Sequence, residues 1–509
     1  TQILVDVYRL RDKLYLHPRK VQHRYSPNMH MLYVWEGDEF LPVTESYLTT
    51  EVLAATPWAD SPAGGDRMGP WTRTFQEAEA TLRGQARGQA TPEQVTEARR
   101  LTLHLGITRD ERLAELAERT LTLEDIVRIR QRILPSGLIG GKAVGMLLSR
   151  RILEAASPKW SAVIEPHDSF YIASENFYTY LVQNNVWRLR QRQKHPDTFL
   201  DGASEARQRV LMGQFPDYMK QRFQNMLDYF GHSPIIVRSS SLLEDAYGNT
   251  FAGKYDSVFC ANQGPRHIRV EEFMNAVQRV YASSMSEDAL TYRKERGVLD
   301  KDEQMGLLVQ RVSGSQNGVL YFPHVAGVAL SYNPYVWDQA IDPRAGVMRL
   351  VFGLGTRAVD RSDNDYTRVV ALNAPTRRPE HGFDDVRRHA QRRVDVLDLE
   401  TNQLASYDFV DVARRCPNLA LDLFASRDEE IERTNAERGR TNFPWVLTFD
   451  RMLADTPLAS DMSEMLQVLE QAYGTPVEVE FTANFLRDGS YRINLLQCRP
   501  VSIGQGGPI

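Results

Sequence analysis

The stretch from Ile235 to Cys260 places the tightest constraint on how this chain can fold. It reads IIVRSSSLLEDAYGNTFAGKYDSVFC, in which a short apolar run leads through Arg238 into three successive serines. Such a run, bounded by polar turn residues, predicts a buried strand followed by a loop. The arginine guanidinium matches phosphate oxygens, and hydroxyls and glycine let backbone N–H groups approach an anion. The stretch therefore predicts a phosphate site, although an Arg238 paired with Glu244 or Asp245 explains the same residues.

The composition is that of a globular protein without a surface for nucleic acid or membrane. The chain is 42% hydrophobic and 25% charged, with a formal net charge of −5, and its basic residues are scattered. No apolar run approaches the roughly 18 residues that span a bilayer. The three cysteines are far apart and predict neither a disulfide framework nor a zinc site. This indicates a reducing, cytoplasmic setting. Because the chain begins at Thr1 and not at Met, residues upstream of Thr1 are expected to be missing from this sequence.

The first 125 residues read differently from the remainder. Residues 3–53 contain short aromatic and apolar runs broken by Pro, Gly and Asn, which predict a small β-rich or mixed unit. Residues 57–70 are dense in Pro and Gly and predict a loop or linker. From Thr74 to Arg132 the apolar spacing becomes helical. The segment is therefore predicted to be an accessory domain with a helical connector, and its residues indicate no function.

A Gly-Gly-Lys sequence lies within a second stretch rich in small residues, PSGLIGGKAVGMLLSR, from Pro135 to Arg150. Backbone donors and the dipole at a helix start can hold a phosphate, while the ammonium of Lys142 neutralises its charge. The GxxxxGK[ST] spacing of a Walker A loop is absent. By itself, the Gly-Gly-Lys motif is only a weak indication of a functional site.

The end of the chain predicts a β-hairpin with a polar face. Glu478 and Glu480 are two residues apart on one predicted strand, and Gln497 and Arg499 are two apart on the next. If these strands pair, two carboxylates, an amide and a guanidinium converge, and Mg²⁺ prefers such oxygen ligands together with water and phosphate. The alternative is an exposed hairpin face with a Glu–Arg cross-strand pair.

Several segments together resemble the ATP-grasp, nucleotide-binding module of the phosphoenolpyruvate synthase and pyruvate phosphate dikinase family. They span about residues 130 to 503 and read VRSSSLLED, FAGKYDSV, IGGKAVGM, LLVQRV, AGVALSYNP, FGLG, VEVEF and LLQCRP. The resemblance implies an α/β, ATP-grasp fold behind an N-terminal mixed or β-rich accessory domain. Residues 126–375 would form the N-terminal and central lobes, residues 376–450 an insertion or helical lobe, and residues 451–509 the C-terminal hairpin.

The resemblance also assigns catalytic and phosphate-binding roles. Lys142 falls on the family's glycine-flanked lysine, which binds nucleotide phosphates. Arg238 falls on the arginine that contacts the phosphates being transferred. Arg499 matches the terminal arginine that handles phosphate.

The remaining assignments concern magnesium and the base. Glu480 and Gln497 fall on the family's Mg²⁺-handling acid and glutamine, and Glu478 matches an acidic position just before. The segment LLVQRV would line the adenine pocket, with backbone hydrogen bonds from residues 310 to 312, namely Gln310, Arg311 and Val312.

By resemblance the cofactors are ATP and Mg²⁺, and the reaction is phosphoryl transfer to a histidine with formation of AMP. The acceptor is left open: pyruvate, a phosphohistidine domain in cis or in trans, or another small molecule such as an antibiotic or a glucan. The sequence departs from the family pattern in two places. Thr356 follows FGLG where an acidic residue is usual in the family, and Glu480 and Gln497 are farther apart in the sequence than in the family's usual hairpin. The family's phosphate-accepting histidine segment is not found in the sequence. A nucleotide-sensing module without turnover therefore stands as the alternative function.

Overall fold

A computed structural model describes residues 3–21, 31–54, 70–245, 251, 253–301, 303–359, 365–486 and 488–501. It is a mixed α/β protein with several sheets and many helices. The chain forms two compact units. The first comprises Thr1–Val43, Leu48–Arg151 and Pro166–Val312, and the second comprises Thr44–Tyr47, Ile152–Glu165 and Ser313–Ile509. Within the described ranges, no helix has the length and apolar character needed to cross a membrane.

The chain begins with a four-stranded antiparallel sheet whose strands pair in sequence order. Tyr15 and Val34 lie opposite each other on neighbouring strands and both join the core of the first unit. Residues alternate between the faces of a strand, so the broken apolar pattern of this segment is the pattern of a sheet packed on one face. The strands are β1 (Ile3–Leu10), β2 (Lys13–Val21), β3 (Tyr33–Glu36) and β4 (Glu39–Pro42).

Helices follow this sheet, as the apolar spacing predicts. Capping boxes open two of them: Thr91 and Gln94 bond reciprocally, and so do Thr122 and Asp125. The predicted linker at 57–70 lies outside the described residues, apart from Pro70 at the start of a helix. The helices are α1 (Ser46–Ala54), α2 (Pro70–Ala86), α3 (Pro92–Gly106), α4 (Glu111–Thr120) and α5 (Leu123–Arg130).

The first unit contains a five-stranded mixed sheet that carries the predicted Arg238 strand. Its strands are β5 (Ile133–Leu134), β6 (Ser169–Ile172), β7 (Ile235–Ser241), β8 (Ser257–Cys260) and β9 (Met305–Arg311). Their order is β5-β6-β9-β7-β8, with β5 parallel to β6 and the other pairs antiparallel. The two apolar runs that predict buried strands, at 235–237 and 306–312, therefore lie side by side within the sheet.

Two predicted elements differ from the observed ones around this sheet. The apolar pattern from Ala162 to Ile172 predicts a strand, but the strand begins only at Ser169, because a serine cap and Pro158 start a short helix before it. The spacing from Val270 to Arg296 predicts one helix, which is interrupted where Ser286 caps a new helix. The helices are α6 (Gly141–Ala156), α7 (Pro158–Val163), α8 (Glu175–Gln183), α9 (Trp187–Arg192), α10 (Ala203–Leu211), α11 (Asp217–Phe230), α12 (Arg266–Ser283) and α13 (Glu287–Glu295).

The second unit is built on antiparallel sheets. The strands are β10 (Ser315–Asn317), β11 (Leu320–Phe322), β12 (Val325–Leu330), β13 (Val347–Phe352), β14 (Arg368–Ala371), β15 (Arg393–Asp398), β16 (Gln403–Asp408), β17 (Ala425–Arg427), β18 (Trp445–Leu447), β19 (Val477–Phe485) and β20 (Tyr491–Pro500). They form sheets of order β14-β13-β12-β19-β20, β10-β11-β15-β16 and β17-β18. Since β15 pairs with β11, part of the stretch predicted as an insertion shares a sheet with residues 315–322.

Short and long helices connect these strands. They are α14 (Thr356–Val359), α15 (Phe383–Arg388), α16 (Phe409–Arg415), α17 (Leu421–Phe424), α18 (Glu429–Arg438), α19 (Asp450–Asp455) and α20 (Leu458–Tyr473). Helix α20 ends at Gly474, which has a left-handed conformation, and the chain then enters β19. The predicted helix, glycine stop and hairpin at the end of the chain are all observed.

Candidate functional site

The glycines of the Gly-Gly-Lys motif let the start of α6 lie directly on the backbone that follows β7. Gly140 has φ +84°, and a Cβ there would lie 1.5 Å from the carbonyl oxygen of Ser240. A Cβ on Gly141 would lie 1.9 Å from the carbonyl oxygen of Glu244. Only glycine allows so close an approach. The motif therefore has a packing role in addition to any role in binding an anion.

This packing brings Lys142 to a buried carboxylate. Its Nζ lies 3.6 Å from Oε1 of Glu244, and both side chains are nearly inaccessible. Ser239 Oγ and the Ser241 N–H each donate to the same carboxylate at 2.8 Å. Burial raises the pKa of Glu244, while the positive charge of Lys142 opposes that rise. The lysine is thus held in a fixed, nearly dry position with one counter-charge beside it.

The central serine of the triplet is engaged within the protein. Ser240 Oγ donates to the Ile139 carbonyl at 2.8 Å and accepts from the Ala143 N–H at 3.1 Å. It therefore joins β7 to the first turn of α6. The serines, whose short side chains are predicted to let backbone N–H groups approach an anion, fix the elements that carry Lys142 and Arg238. The glycine of residues 250–253 predicts a turn there, of which Phe251 and Gly253 are described and the other two residues lie outside the described residues.

Arg238 and Gln310 lie on the face of the sheet that α6 covers. Arg238 stands opposite Leu308 of β9, and its neighbour two residues back stands opposite Gln310. Gln310 Nε2 is 3.0 Å from the sulfur of Met146 in α6. Because alternate residues share a face, the structure places Arg238 and Gln310 on the same side of the sheet as the helix of Lys142.

Arg311 points to the opposite face and has a structural partner. Its Nε and Nη2 donate to Oδ2 of Asp168 at 3.0 and 2.8 Å, and both side chains are buried. The backbone N–H groups of Arg311 and Val312 donate to the carbonyls of Asp168 and Pro234. These two N–H groups are therefore engaged inside the first unit, and the expected backbone contact of residues 310–312 with a base stays a prediction.

In the second unit, the hairpin of β19 and β20 brings four predicted residues onto one face. Glu478 lies opposite Arg499, and Glu480 lies opposite Gln497. The ladder shifts register immediately after Glu480, at a β-bulge. The cross-strand Glu–Arg pair of the alternative interpretation also exists, between Glu478 and Arg499. Their side chains are 17% and 9% exposed, so the face is a partly buried polar patch.

One carboxylate of this patch, Glu478, has a shifted pKa. Burial raises the pKa of Glu478, the charge of Arg499 opposes that rise, and the neighbouring Glu480 adds to it. Arg349 on β13 also lowers the pKa of Glu478. Arg349 lies in the same cross-strand row as Glu480, through Val328 of β12. Sequence reasoning missed Arg349 because its place beside the hairpin depends on sheet order.

Thr356 stands where an acidic residue is usual in the family. A carboxylate from another strand lies beside it. Its Oγ1 donates to Oδ2 of Asp395 on β15 at 2.5 Å. Arg357 holds the second oxygen of Asp395 at 3.1 Å. The carboxylate near FGLG is therefore supplied by a distant segment, which no local motif could indicate.

The patch suits a magnesium ion that arrives with a nucleotide better than a permanent metal. Among the described residues, no cluster of three or more His, Cys, Asp or Glu side chains could hold a metal ion. Mg²⁺ commonly takes one or two protein carboxylates and completes its shell with water and substrate phosphates. The carboxylate of Glu480 and the amide oxygen of Gln497 fit that requirement.

Comparison with known proteins places these residues within one family. The family model described as "Pyruvate phosphate dikinase, AMP/ATP-binding domain" matches residues 136–506. The chain is 23% identical over 296 residues to the uncharacterized phosphotransferase YvkC of Bacillus subtilis, covering 58% of this chain and 27% of that protein. It is 30% identical over 158 residues to a rifampicin phosphotransferase of a Streptomyces species, covering 31% of this chain and 16% of that protein. The match therefore spans a minor part of each relative.

Proposed function

The chain belongs to the pyruvate phosphate dikinase AMP/ATP-binding family, and from this premise we propose that it is an ATP-grasp module that binds Mg-ATP for phosphoryl transfer. The observation that carries the proposal is the register of β19 and β20. It sets Glu480 opposite Gln497 and Arg499 opposite Glu478, within the segment that the family model matches. A carboxylate, an amide and a guanidinium on one face suit a metal and a phosphate together.

The proposed mechanism uses charge and position more than covalent chemistry. In the first unit, Lys142 and Arg238 are proposed to neutralise charge on the phosphates. In the hairpin of the second unit, Arg499 is proposed to bind phosphate. Glu480 and Gln497 would hold Mg²⁺, which would supply positive charge to stabilise the phosphates. A histidine would attack the β-phosphorus of ATP and take the β,γ-pyrophosphoryl group, which breaks the bond to the α,β-bridging oxygen and leaves AMP. Water would then remove the γ-phosphate as inorganic phosphate and leave phosphohistidine. The near-complete burial of Lys142 and Arg238 supports these roles, because low solvent access strengthens their attraction for phosphate.

The phosphate acceptor is proposed to be a histidine of a further domain, in cis or in trans, or a small molecule. Pyruvate is the candidate from the family name, and rifampicin is the candidate from the named Streptomyces relative. Both are testable with the chain as it is.

The test follows label from ATP. The protein is incubated with Mg²⁺, β-³²P-labelled ATP and either pyruvate or rifampicin, and AMP and labelled product are measured. Arg238→Ala is expected to abolish AMP formation with its circular dichroism unchanged. Arg266→Ala is the matched control, because that arginine is 47% exposed and paired with Asp228 on the surface. Equal loss of AMP formation in both variants would contradict the role given to Arg238.

A nucleotide sensor without turnover is the second candidate function. The observation that favours this candidate is the four-stranded sheet in the residues that precede the family match, which would serve as the output domain of a sensor. Sensing predicts that ATP raises the melting temperature by mass action while no AMP forms with any acceptor. That combination would overturn the enzymatic proposal, and no rise in melting temperature would overturn both.

A further inference from the structure

Two buried oxygen atoms on the polar face of the hairpin have no hydrogen-bond partner among the described residues. They are Oγ1 of Thr482 on β19 and Oδ1 of Asn494 on β20. The two residues are 5% and 4% exposed. A buried polar atom without a partner is unfavourable, so two such atoms side by side point to a group that binds there.

Both atoms belong to the same patch as Glu480 and Gln497. Thr482 lies opposite Asn494 in the ladder, and Glu480 lies opposite Gln497 one step along the same face. Opposite residues in an antiparallel pair have Cβ atoms about 4.5–5.5 Å apart. The register thus sets a carboxylate, a hydroxyl and two amides in a compact rectangle.

The β-bulge creates this rectangle. Asn494 and Gln497 are three residues apart, so in a regular strand they would point to opposite faces. The register shift after Glu480 leaves Leu496 as the extra residue on β20, and Asn494 returns to the face of Gln497. Bulges recur next to active sites, where they redirect a side chain in this way.

The second carboxylate on this face, Glu478, forms an ion pair with Arg499 on the neighbouring strand. A cation on this face would therefore lie toward Glu480 and Thr482.

We propose that Thr482 Oγ1 and Asn494 Oδ1 supply oxygen ligands to a divalent cation held by Glu480 and Gln497, and that Glu478 positions Arg499 and does not bind the cation. Both orphan atoms are acceptors, and hard divalent cations select such oxygens. The inference rests on the proposed function, since the cation is the one that accompanies the nucleotide.

The test uses Mn²⁺ in place of Mg²⁺, with the full chain and a non-hydrolysable ATP analogue. Bound Mn²⁺ is counted by electron paramagnetic resonance, and analogue affinity is measured separately in EDTA. Thr482→Val and Asn494→Leu are each expected to weaken Mn²⁺ binding about tenfold or more, with analogue affinity in EDTA unchanged. Thr482→Ser keeps the oxygen and is expected to bind Mn²⁺ like the parent.

Two further variants separate ligation from a structural role. Asn494→Asp adds a charged oxygen and is expected to tighten Mn²⁺ binding, whereas a merely structural asparagine would give no gain. Glu478→Gln is expected to leave Mn²⁺ affinity within about twofold.

Unchanged Mn²⁺ affinity in Thr482→Val and Asn494→Leu would overturn the proposal. Equal losses of analogue affinity in EDTA would overturn it too, because the atoms would then contact the nucleotide. If the parent binds Mn²⁺ but no nucleotide analogue, the proposed function fails, and the same variants compared in Mn²⁺ alone still decide the ligand assignment.

Discussion

Replacement of Glu303 by glutamine is expected to destabilise the first unit by ~3–5 kcal/mol. Nη2 of Arg190 lies 2.8 Å from its carboxylate, which also pairs with Arg293 and accepts from the hydroxyl of Tyr255. The Glu303 and Arg293 side chains are fully buried, and the Arg190 side chain is 3% exposed. An amide has nearly the same shape but no charge, so the substitution leaves two buried guanidinium groups without compensation.

The matched control is Asp228→Asn on the surface of the same unit. Arg266 donates to Asp228 at 2.7 and 2.9 Å, so the contact geometry is as good, but the side chains are 47% and 41% exposed. An exposed pair of this kind contributes about 0–1 kcal/mol. Urea unfolding curves of both variants and the parent measure the difference. A loss below about 1 kcal/mol in Glu303→Gln, equal to the control, would refute the argument from burial.

Tyr255→Phe is expected to cause an intermediate loss of stability, and it changes a residue in one of the segments that resemble the family. The tyrosine belongs to the FAGKYDSV segment, and its ring stacks on Phe251 with centroids 5.2 Å apart. Its removal spares both ion pairs and deletes one hydrogen bond to a charged acceptor, which corresponds to ~1.5–3 kcal/mol. The order Glu303→Gln, Tyr255→Phe, Asp228→Asn is therefore expected for the loss of stability, and any other order would contradict the assignment of roles.

Three further changes have definite expected outcomes. Gly140→Ala is expected to lower the melting temperature strongly because of its contact with Ser240, whereas Gly253→Ala, with no described atom within 4 Å, should lose far less; equal shifts would contradict the packing role. Lys142→Met should weaken binding of an ATP analogue about tenfold or more, measured by calorimetry. Burial lowers the pKa of His324 to about 4, so the unfolded chain binds a proton that the folded chain does not between pH 6.5 and 4. This histidine alone should therefore lower stability by roughly 3 kcal/mol as pH drops through that window. His324→Gln should remove that contribution, while the one from His167, whose pKa burial lowers to about 3, remains.

The sequence predicts the hairpin well because its pattern is local. Glu478 and Glu480, and then Gln497 and Arg499, each alternate along one strand, and a short turn joins the strands. A period of two can be read without knowledge of any other element. Asn494 could not be found in this way, because the alternation assigns it to the wrong face and only the bulge returns it.

The Gly-Gly-Lys and triple-serine motifs show a different limit. Their residue types suit anion binding, and the sequence interpretation gave them that role. In the structure Gly140 and Ser240 meet each other, and the hydroxyl of Ser240 ties the start of α6 to β7. Sequence shows which residues permit close approach but not which partner approaches, since that depends on contacts between distant segments.

The cations predicted to bind phosphate share a structural feature that the sequence does not show. Lys142 and Arg499 were identified because phosphate needs positive charge, and in the structure each lies beside a buried carboxylate, Glu244 and Glu478 respectively. A buried charge without a partner is strongly unfavourable, so a site that waits for an anion must hold an internal counter-charge in the meantime. Glu478, predicted from its residue type as a metal ligand, is on this argument first the partner of Arg499. A carboxylate close to a buried phosphate-binding cation should therefore be assigned to that cation before it is assigned to a metal.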